Sequence, residues 1–397
     1  MSIIAERINR LAISQTLAMA QKSRELKAQG IDVISLSVGE PDFDTPDFIK
    51  EAAKKAIDDN YSHYSPVNGY LELREAVVNK LKRDNNLDYT ADQILVSNGA
   101  KHSLANVIMA TVQEGDEVVI PAPYWVTYVE LVKLAGGTNV VIPTTVENDF
   151  KITPEQLEAA ITPKTRAFLF SSPSNPTGKL YTKEELKAFA DIFVKYPDLV
   201  VISDEIYEYI NYEGAHETIA QFDEIKNQTV IVNGVSKAYA MTGYRIGYIA
   251  GPTWLVKACN KLQGQFTSGP NSVAQIASAR AIESDNKEVF EMVKAFEKRR
   301  DLMVSLMSEI PNLKISKPDG AFYVFPNVTA YFGTQVGDYK IDTASDLCLY
   351  LLQEANVAIV TGEAFGDPNC VRLSYAASEA ELREAVRRIK EAMSKLK

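Results

Sequence analysis

Cysteine, histidine and tryptophan are scarce in this chain of 397 residues, with 3, 3 and 2 copies. Cys259, Cys348 and Cys370 are odd in number and far apart. That argues against a disulfide framework and fits a reducing cytoplasm. His63, His102 and His216 are too few and too scattered for a multi-histidine centre, so no metal is expected. His216-Glu217 begins like a zinc-protease motif, but no second histidine follows at the required spacing. No run of about 18 apolar residues occurs, which excludes a spanning helix. The first twenty residues spread Glu6, Arg7 and Arg10 among apolar ones, so no secretory leader is read there. Basic residues are in deficit, 42 against 52 acidic, for a net charge of −10. A chain this acidic is a poor general binder of nucleic acid or anionic membrane, and neither is expected as a partner. Repeats, low-complexity tracts and long Gly/Ser linkers are missing as well.

What remains is ordinary globular composition, 46% hydrophobic and 24% charged. The length suits two to three domains, or one large α/β unit with a satellite. Short β-rich runs stand at 93–97, 116–121, 139–143, 166–172, 198–203, 229–234 and 245–251, with amphipathic stretches such as 183–196 between them. Strand alternating with helix predicts an α/β fold, a mostly parallel sheet with helices on both faces. The near-continuous apolar runs agree, because such strands are buried on both sides. The last third differs. Helical spacing over 287–307 and 381–396 brackets strand-like runs at 321–326, 356–362 and 370–375, which reads as a second, smaller α/β domain. The expected division is 1–45 as an N-terminal arm and part of the small domain, 46–285 as the large domain and 286–397 as the small one. Glu297-Lys298-Arg299-Arg300 reads as a solvated helix face, and the cysteines as small buried hydrophobes.

In an open parallel sheet, ligands collect beyond the carboxyl ends of the strands. Unusual polar residues stand at those places. SNGAKHSL (97–104) follows a strand and opens a helix; it is either a phosphate cradle or a plain turn. SSPSNPTG (171–178) is a rigid loop in which Asn175 is a helix cap or a site residue. Asp204 follows a buried strand directly, as a cap or a site residue, and Tyr207 comes three residues later. Ser236 and Lys237 follow TVIVNG, and Arg245 lies in MTGYRIGY. GVSKA (234–238) nearly matches a serine-hydrolase elbow, but its fifth residue is Ala and no histidine has a suitable context.

A phosphate cradle, an Asn, an Asp with its Tyr, a Lys and an Arg after successive strands form a constellation that resembles the fold-type I pyridoxal-phosphate enzymes. More closely it resembles the class I aminotransferases of bacterial aspartate-aminotransferase type. The strings that carry the resemblance are SVGEPDFDTP (37–46), NGAKHSL, PYWVTY (123–128), SSPSNPTG, VISDEIYE (201–208), VNGVSKAYAMTGYRIGY (232–248), GAFYVFP (320–326) and VRLSYA (371–376).

The resemblance implies a homodimeric aminotransferase with pyridoxal 5'-phosphate as cofactor, cycling between an amino acid and a 2-oxo acid. Lys237 is implied as the amine that condenses with the cofactor aldehyde and later moves the proton at Cα. The resemblance further implies that Asp204 pairs with the pyridine nitrogen, Tyr207 and Asn175 with the ring oxygen, and that Trp125 stacks on the ring. Gly99, Ala100, Ser236 and Arg245 are implied to hold the phosphate, joined by Tyr64 from the neighbouring subunit in a shared active site. Arg372 is implied to clamp the substrate α-carboxylate, with the Gly39 backbone beside it.

In one branch of the family a partner arginine reads the distal carboxylate, but the corresponding stretch QGQFTSGPN (263–271) has no arginine. Lys101, Ser14 and Thr16 are implied instead, with Lys101 also open to a phosphate contact. The expected reaction is L-aspartate with 2-oxoglutarate. Broader aromatic or prephenate-type specificity and a same-fold lyase are the alternatives, and a cofactor-binding regulator without turnover is a rival from another class.

Overall fold

The chain is described by a computed structural model covering residues 3–397. Strand β1 (Ile34–Ser35) stands apart from the main sheet. That sheet is built from β2 (Ile94–Ser97), β3 (Glu117–Pro121), β4 (Thr138–Ile142), β5 (Thr165–Ser171), β6 (Val200–Asp204), β7 (Thr229–Gly234) and β8 (Gly247–Ala250). Its order is β2-β8-β7-β6-β5-β3-β4. Neighbours are parallel except β8, which runs antiparallel to both β2 and β7. The mostly parallel α/β expectation therefore holds, with one reversed strand inside the sheet.

Side chains alternate across the sheet, and both faces are buried. Leu95, Leu169, Ile202 and Val232 share a core with Leu104 and Ile108 of the helix Ala100–Thr111 and Leu255 of the helix Thr253–Phe266. On the opposite face, Val96, Ile231 and Tyr248 pack with Leu73 and Val77 of the helix Leu71–Asn85. Phe168 and Val201 pack there with Phe189 and Phe193 of the helix Lys183–Phe193.

The C-terminal third carries β9 (Tyr323–Val324), the hairpin β10 (Thr334–Val336) and β11 (Tyr339–Ile341), and then β12 (Val357–Ala358), β13 (Val360–Thr361) and β14 (Val371–Ser374). The apolar run 356–362 is broken at Ile359, so β12 joins β1 in parallel while β13 joins β14 and β9 in an antiparallel sheet. Residues 34–37 are thereby sewn to the C-terminal sheet: Leu36 N–H donates to Ala358 O at 2.8 Å and Leu36 O accepts from Ser374 N–H at 2.8 Å. The helix Glu379–Met393 buries Leu382, Val386, Ile389 and Met393 as its spacing predicts.

The 297–300 stretch is not the solvated face its charge suggests. Arg300 is 3% exposed. Its guanidinium lies 4.6 Å from the Tyr212 ring and donates to Asp301, Glu297 and the Pro318 carbonyl. Arg299 pairs with Asp42 at 2.7 Å over the Phe43 ring. A flat, delocalised cation can be buried where aromatic faces and several acceptors replace water.

Phe296 anchors this part of the core. It is fully buried, with the Phe43 and Phe322 rings at 5.3 and 5.2 Å. Phe296→Ala is expected to lower the unfolding free energy by about 3–5 kcal/mol, the cost of a large buried cavity. Equilibrium denaturation of wild type and variant measures it.

Candidate active site

The reversed direction of β8 assembles the site. The carboxyl ends of β5, β6 and β7 and the amino end of β8 lie on one edge of the sheet. Ser171 is opposite Asp204 in the register, and Gly234 is opposite Gly247. Above that edge is a cavity of about 340 Å³. It is lined by Ser14, Thr16, Gly39, Ala100, Lys101, Trp125, Asn175, Asp204, Tyr207, Ser236, Lys237, Arg245 and Arg372, which brings nearly all the candidate residues together. Gly99 lies just behind the wall. Tyr64 is not in this wall: its side chain is fully exposed, 98%, on the outside of the chain.

Parity along β6 puts Asp204 on the same face as Ile202, where the helix Thr127–Ala135 covers the sheet. Tyr128 of that helix donates to Asp204 Oδ2 at 2.6 Å, and the Ile206 N–H reaches Oδ1 at 3.3 Å. Burial pushes the Asp204 carboxyl up to about 6, against the pull of the Tyr128 hydroxyl. Lys237 Nζ donates to the Gly39 carbonyl at 2.6 Å. Burial brings its ammonium down to about 8; Glu40 opposes that shift, while Arg372 and Arg245 add to it. Tyr207 and Tyr323 share a hydroxyl–hydroxyl bond of 2.7 Å.

Arg372 is 1% exposed and lies between the Tyr323 and Phe365 rings at 4.5 and 4.8 Å. Its Nη1 donates to Asn175 Oδ1 at 3.0 Å and its Nη2 to the Ser37 carbonyl at 2.6 Å. Its Nε is buried without a partner. A buried guanidinium with a free donor and no carboxylate is costly, and it is built for an anion that arrives from outside. Lys101 Nζ sits 5.0 Å from the Trp125 ring, its pKa lowered by burial and by Arg245.

The cavity edge also carries a phosphate-shaped donor set. The helix Ala100–Thr111 begins here, and its first N–H groups have no partner within the helix. Gly99 caps it at φ +86°, with the Arg245 guanidinium where a side chain would stand. A Cβ on Gly247 would overlap the Ala100 amide nitrogen, so only glycine lets β8 pass beneath that amide. Arg245 itself is left-handed, φ +59°, and its Nη1 returns to the Thr242 carbonyl at 2.9 Å. Peptide N–H groups, the Ser236 hydroxyl and a guanidinium suit a phosphate. Trp125 and the buried Asp204 suit a flat heterocycle with a basic nitrogen. These residues fit pyridoxal phosphate.

Tyr128, Tyr323, Glu40 and Thr242 also line the cavity, and the sequence reading gave them no role. Tyr128 carried a usable signal: a tyrosine one helical turn after Trp125, on the apolar stripe of TYVELVKLA. Tyr323 looked like ordinary core in AFYVFP. Among the described residues no cluster of His, Cys, Asp and Glu has the makings of a metal site. No described helix is long and apolar enough to cross a membrane.

Residues 31–389 match the family profile described as aminotransferase class I and II. The chain is 46% identical to the aspartate aminotransferase of Bacillus subtilis, over 99% of each protein. It is 46% identical to the aspartate/prephenate aminotransferase of Cereibacter sphaeroides, over 98% of each. The crystal structure of the aspartate aminotransferase from Rhizobium meliloti superposes with a TM-score of 0.96 at 42% identity, covering 100% of both chains. That of the Thermus thermophilus aspartate aminotransferase with maleate superposes at 0.92 and 39% identity, covering 99% of this chain and 100% of that one.

The Asp204 carboxyl generates a pH prediction for the cofactor-free protein. Its pKa in the folded state, about 6, is above the unfolded 3.8. The stability it contributes is therefore full below about pH 4 and lost as pH rises through 6. The loss amounts to roughly 3 kcal/mol at 1.36 kcal/mol per pKa unit. Asp204→Asn cannot ionise, so it should stabilise the cofactor-free protein at pH 7–8 and give no such gain near pH 4. Denaturant unfolding across that range checks it.

Proposed function

This chain belongs to the class I and II aminotransferases, and from that premise we propose that it moves the amino group of L-aspartate to 2-oxoglutarate, yielding oxaloacetate and L-glutamate. The observation that carries the reading is Arg372: buried, flanked by aromatic faces, its Nε unpaired. It is the receptor for the α-carboxylate common to every donor and acceptor in the cycle.

The family implies pyridoxal 5'-phosphate. When bound, this group supplies an aldehyde for an amine to condense with and a ring that takes up the electron pair left as Cα loses its proton. Gly99, Ala100, Ser236 and Arg245 would hold its phosphate, Trp125 its face, Tyr207 and Asn175 its ring oxygen, and Asp204 its nitrogen. A cationic nitrogen beside Asp204 would draw that carboxyl back toward the charged form. Lys237 loses its proton near pH 8, so a useful fraction is neutral at physiological pH. Freed by substrate, that amine is the base and then the acid that moves the proton at Cα. The Gly39 backbone borders the α-carboxylate. Lys101, with Ser14 and Thr16, would read the distal carboxylate from the same cavity wall.

The fully exposed Tyr64 supports a homodimer in which it reaches the phosphate of the second copy. Three buried, unpaired cysteines agree with a reducing cytoplasm. We read 1–45 as arm and part of the small domain, 46–285 as the cofactor domain and 286–397 as the small domain. A second reading has its own support. Leu17 and Val38 also line the cavity and are 64% and 39% exposed, an apolar lip suited to aromatic or prephenate-type substrates. The Cereibacter relative is an aspartate/prephenate aminotransferase.

Two substitutions test the proposal. Lys237→Ala should abolish turnover while the unfolding transition stays close to wild type, since no core packing is lost. The half-reaction spectra with aspartate and then 2-oxoglutarate report it, and turnover at wild-type rate would remove Lys237 from the role. Lys101→Ser should lower kcat/KM for aspartate by about 1–3 kcal/mol and spare an apolar donor. Equal losses on both donors would assign Lys101 to the cofactor phosphate.

A further inference from the structure

The face of the main sheet opposite Asp204 holds a second charged cluster that never reaches the cavity. The helix Leu71–Asn85 presents Leu73, Ala76, Val77 and Leu81 to the sheet, and Lys80 stands among them at the same helical spacing, 2% exposed. Both oxygens of Glu208 lie 2.5 Å from its Nζ. Glu208 also accepts from Asn85 Nδ2 at 2.8 Å and from Asn233 Nδ2 at 2.7 Å. Asn233 then accepts from the Gly234 N–H at 2.7 Å through its side-chain Oδ1.

These partners are spaced in a telling way. Glu208 is the next residue after Tyr207, in the turn that follows Asp204 at the end of β6. Asn233 is the penultimate residue of β7, directly before the loop that carries Ser236 and Lys237. One buried carboxylate thus ties the two turns that hold the proposed chemistry. Stability alone is a weak reason for such a pair, because apolar residues of similar volume often replace a buried ion pair without loss. An apolar pair would hold the volume but not four directed hydrogen bonds on one carboxylate.

We propose that Lys80 and Glu208, bridged by Asn233, are positioning residues that hold the Lys237 loop in register with the Asp204–Tyr207 turn. The proposal rests on the function read above. Lys80 touches neither substrate nor cofactor; it fixes Glu208, Glu208 fixes Asn233, and Asn233 fixes the backbone at Gly234. Gly234 is opposite Gly247, over which the Ala100 amide sits, so the same link supports the phosphate end of the cavity. The charged groups acting on Lys237 are Glu40 from the N-terminal segment, Asp204 from β6, Arg245 before β8 and Arg372 from β14. A slip of the Lys237 loop changes its burial and its distance to all of them.

Lys80→Met alone would strand a buried carboxylate, so the informative variant is Lys80→Met with Glu208→Gln, which removes both charges and keeps the volume. Two readings are taken. In the cofactor-free protein, acetic anhydride labelling of Lys237 is followed against pH by peptide mass spectrometry. In the holoenzyme, kcat and KM are measured with aspartate. The expected result is a labelling curve displaced to higher pH, toward that of an ordinary lysine, with kcat down at least about tenfold and KM little changed. A folded double variant that matches wild type in both readings overturns the proposal. Asn233→Ala leaves the ion pair intact and should give the same displacement; if the double variant fails to fold, Asn233→Ala decides on the same readings. When all three changes are combined, a shared bridge predicts a loss no larger than the greater of the two, whereas multiplied losses overturn it. Because labelling needs no substrate, it separates failure of this bridge from an error in the assigned donor.

Discussion

A carboxyl group buried at the end of a parallel strand must take a proton or find a positive partner. Asp204 is held between those outcomes. At 3% exposure it has the Tyr128 hydroxyl and one backbone N–H, but no cation within bonding distance. That arrangement leaves the carboxyl half-committed, its pKa near 6. Other features of the site answer to this. Lys237, whose charge Asp204 feels, is turned onto the Gly39 carbonyl. Under the proposed function, a basic ring nitrogen placed at Asp204 would meet a group that gains by giving up its proton. The cost of burying Asp204 would thus be recovered when such a ring binds.

The turn that follows β6 shows how such a burial is kept in place. Asp204 ends β6 on one face of the sheet, and the turn beyond it carries Glu205 and Glu208 to the other. Glu205 accepts from Ser203, Thr218 and His216 at 2.8, 2.5 and 3.0 Å. His216, which begins an abortive zinc-protease string in the sequence, is a buried ring on a buried carboxylate. Three acidic residues in five positions are each met by a different element: the helix Thr127–Ala135, the segment after Asn211 and the helix Leu71–Asn85. The turn is fixed from three sides before any ligand is present.

Much of this was legible in the sequence, and the limits have physical causes. The strands of the main sheet are apolar on both faces, so their runs stand out, and the polar residues after them mark its ligand edge. Bounds drifted where a run continues past its hydrogen bonds: Arg245 belongs to an apolar-looking string but lies outside β8 in a left-handed turn. The reversal of β8 was invisible, because direction is a property of pairing and not of composition. Arg300 was misread because charge in a helix usually means solvent, and the Tyr212 face that replaces water comes from 88 residues earlier in the chain. Tyr128 and Tyr323 were overlooked because a core tyrosine and a site tyrosine share one pattern until their hydroxyl partners are known.

Arg372 joins these threads. Its guanidinium is donated by β14 of the C-terminal sheet, and its two bonded nitrogens reach Asn175, from the loop after β5, and Ser37, from the N-terminal segment. One side chain therefore spans three stretches of chain that are remote in sequence, and it does so with bonds to a neutral amide and a neutral carbonyl. Neither partner neutralises its charge. A carboxylate bound at this guanidinium would add the missing negative charge at the point where the three stretches meet. The proposed substrate binding and the holding together of the cavity walls would then draw on the same group. Under the proposed function, an acid without an α-carboxylate would forgo both, so this arginine would select the substrate class before Lys101 reads the distal group.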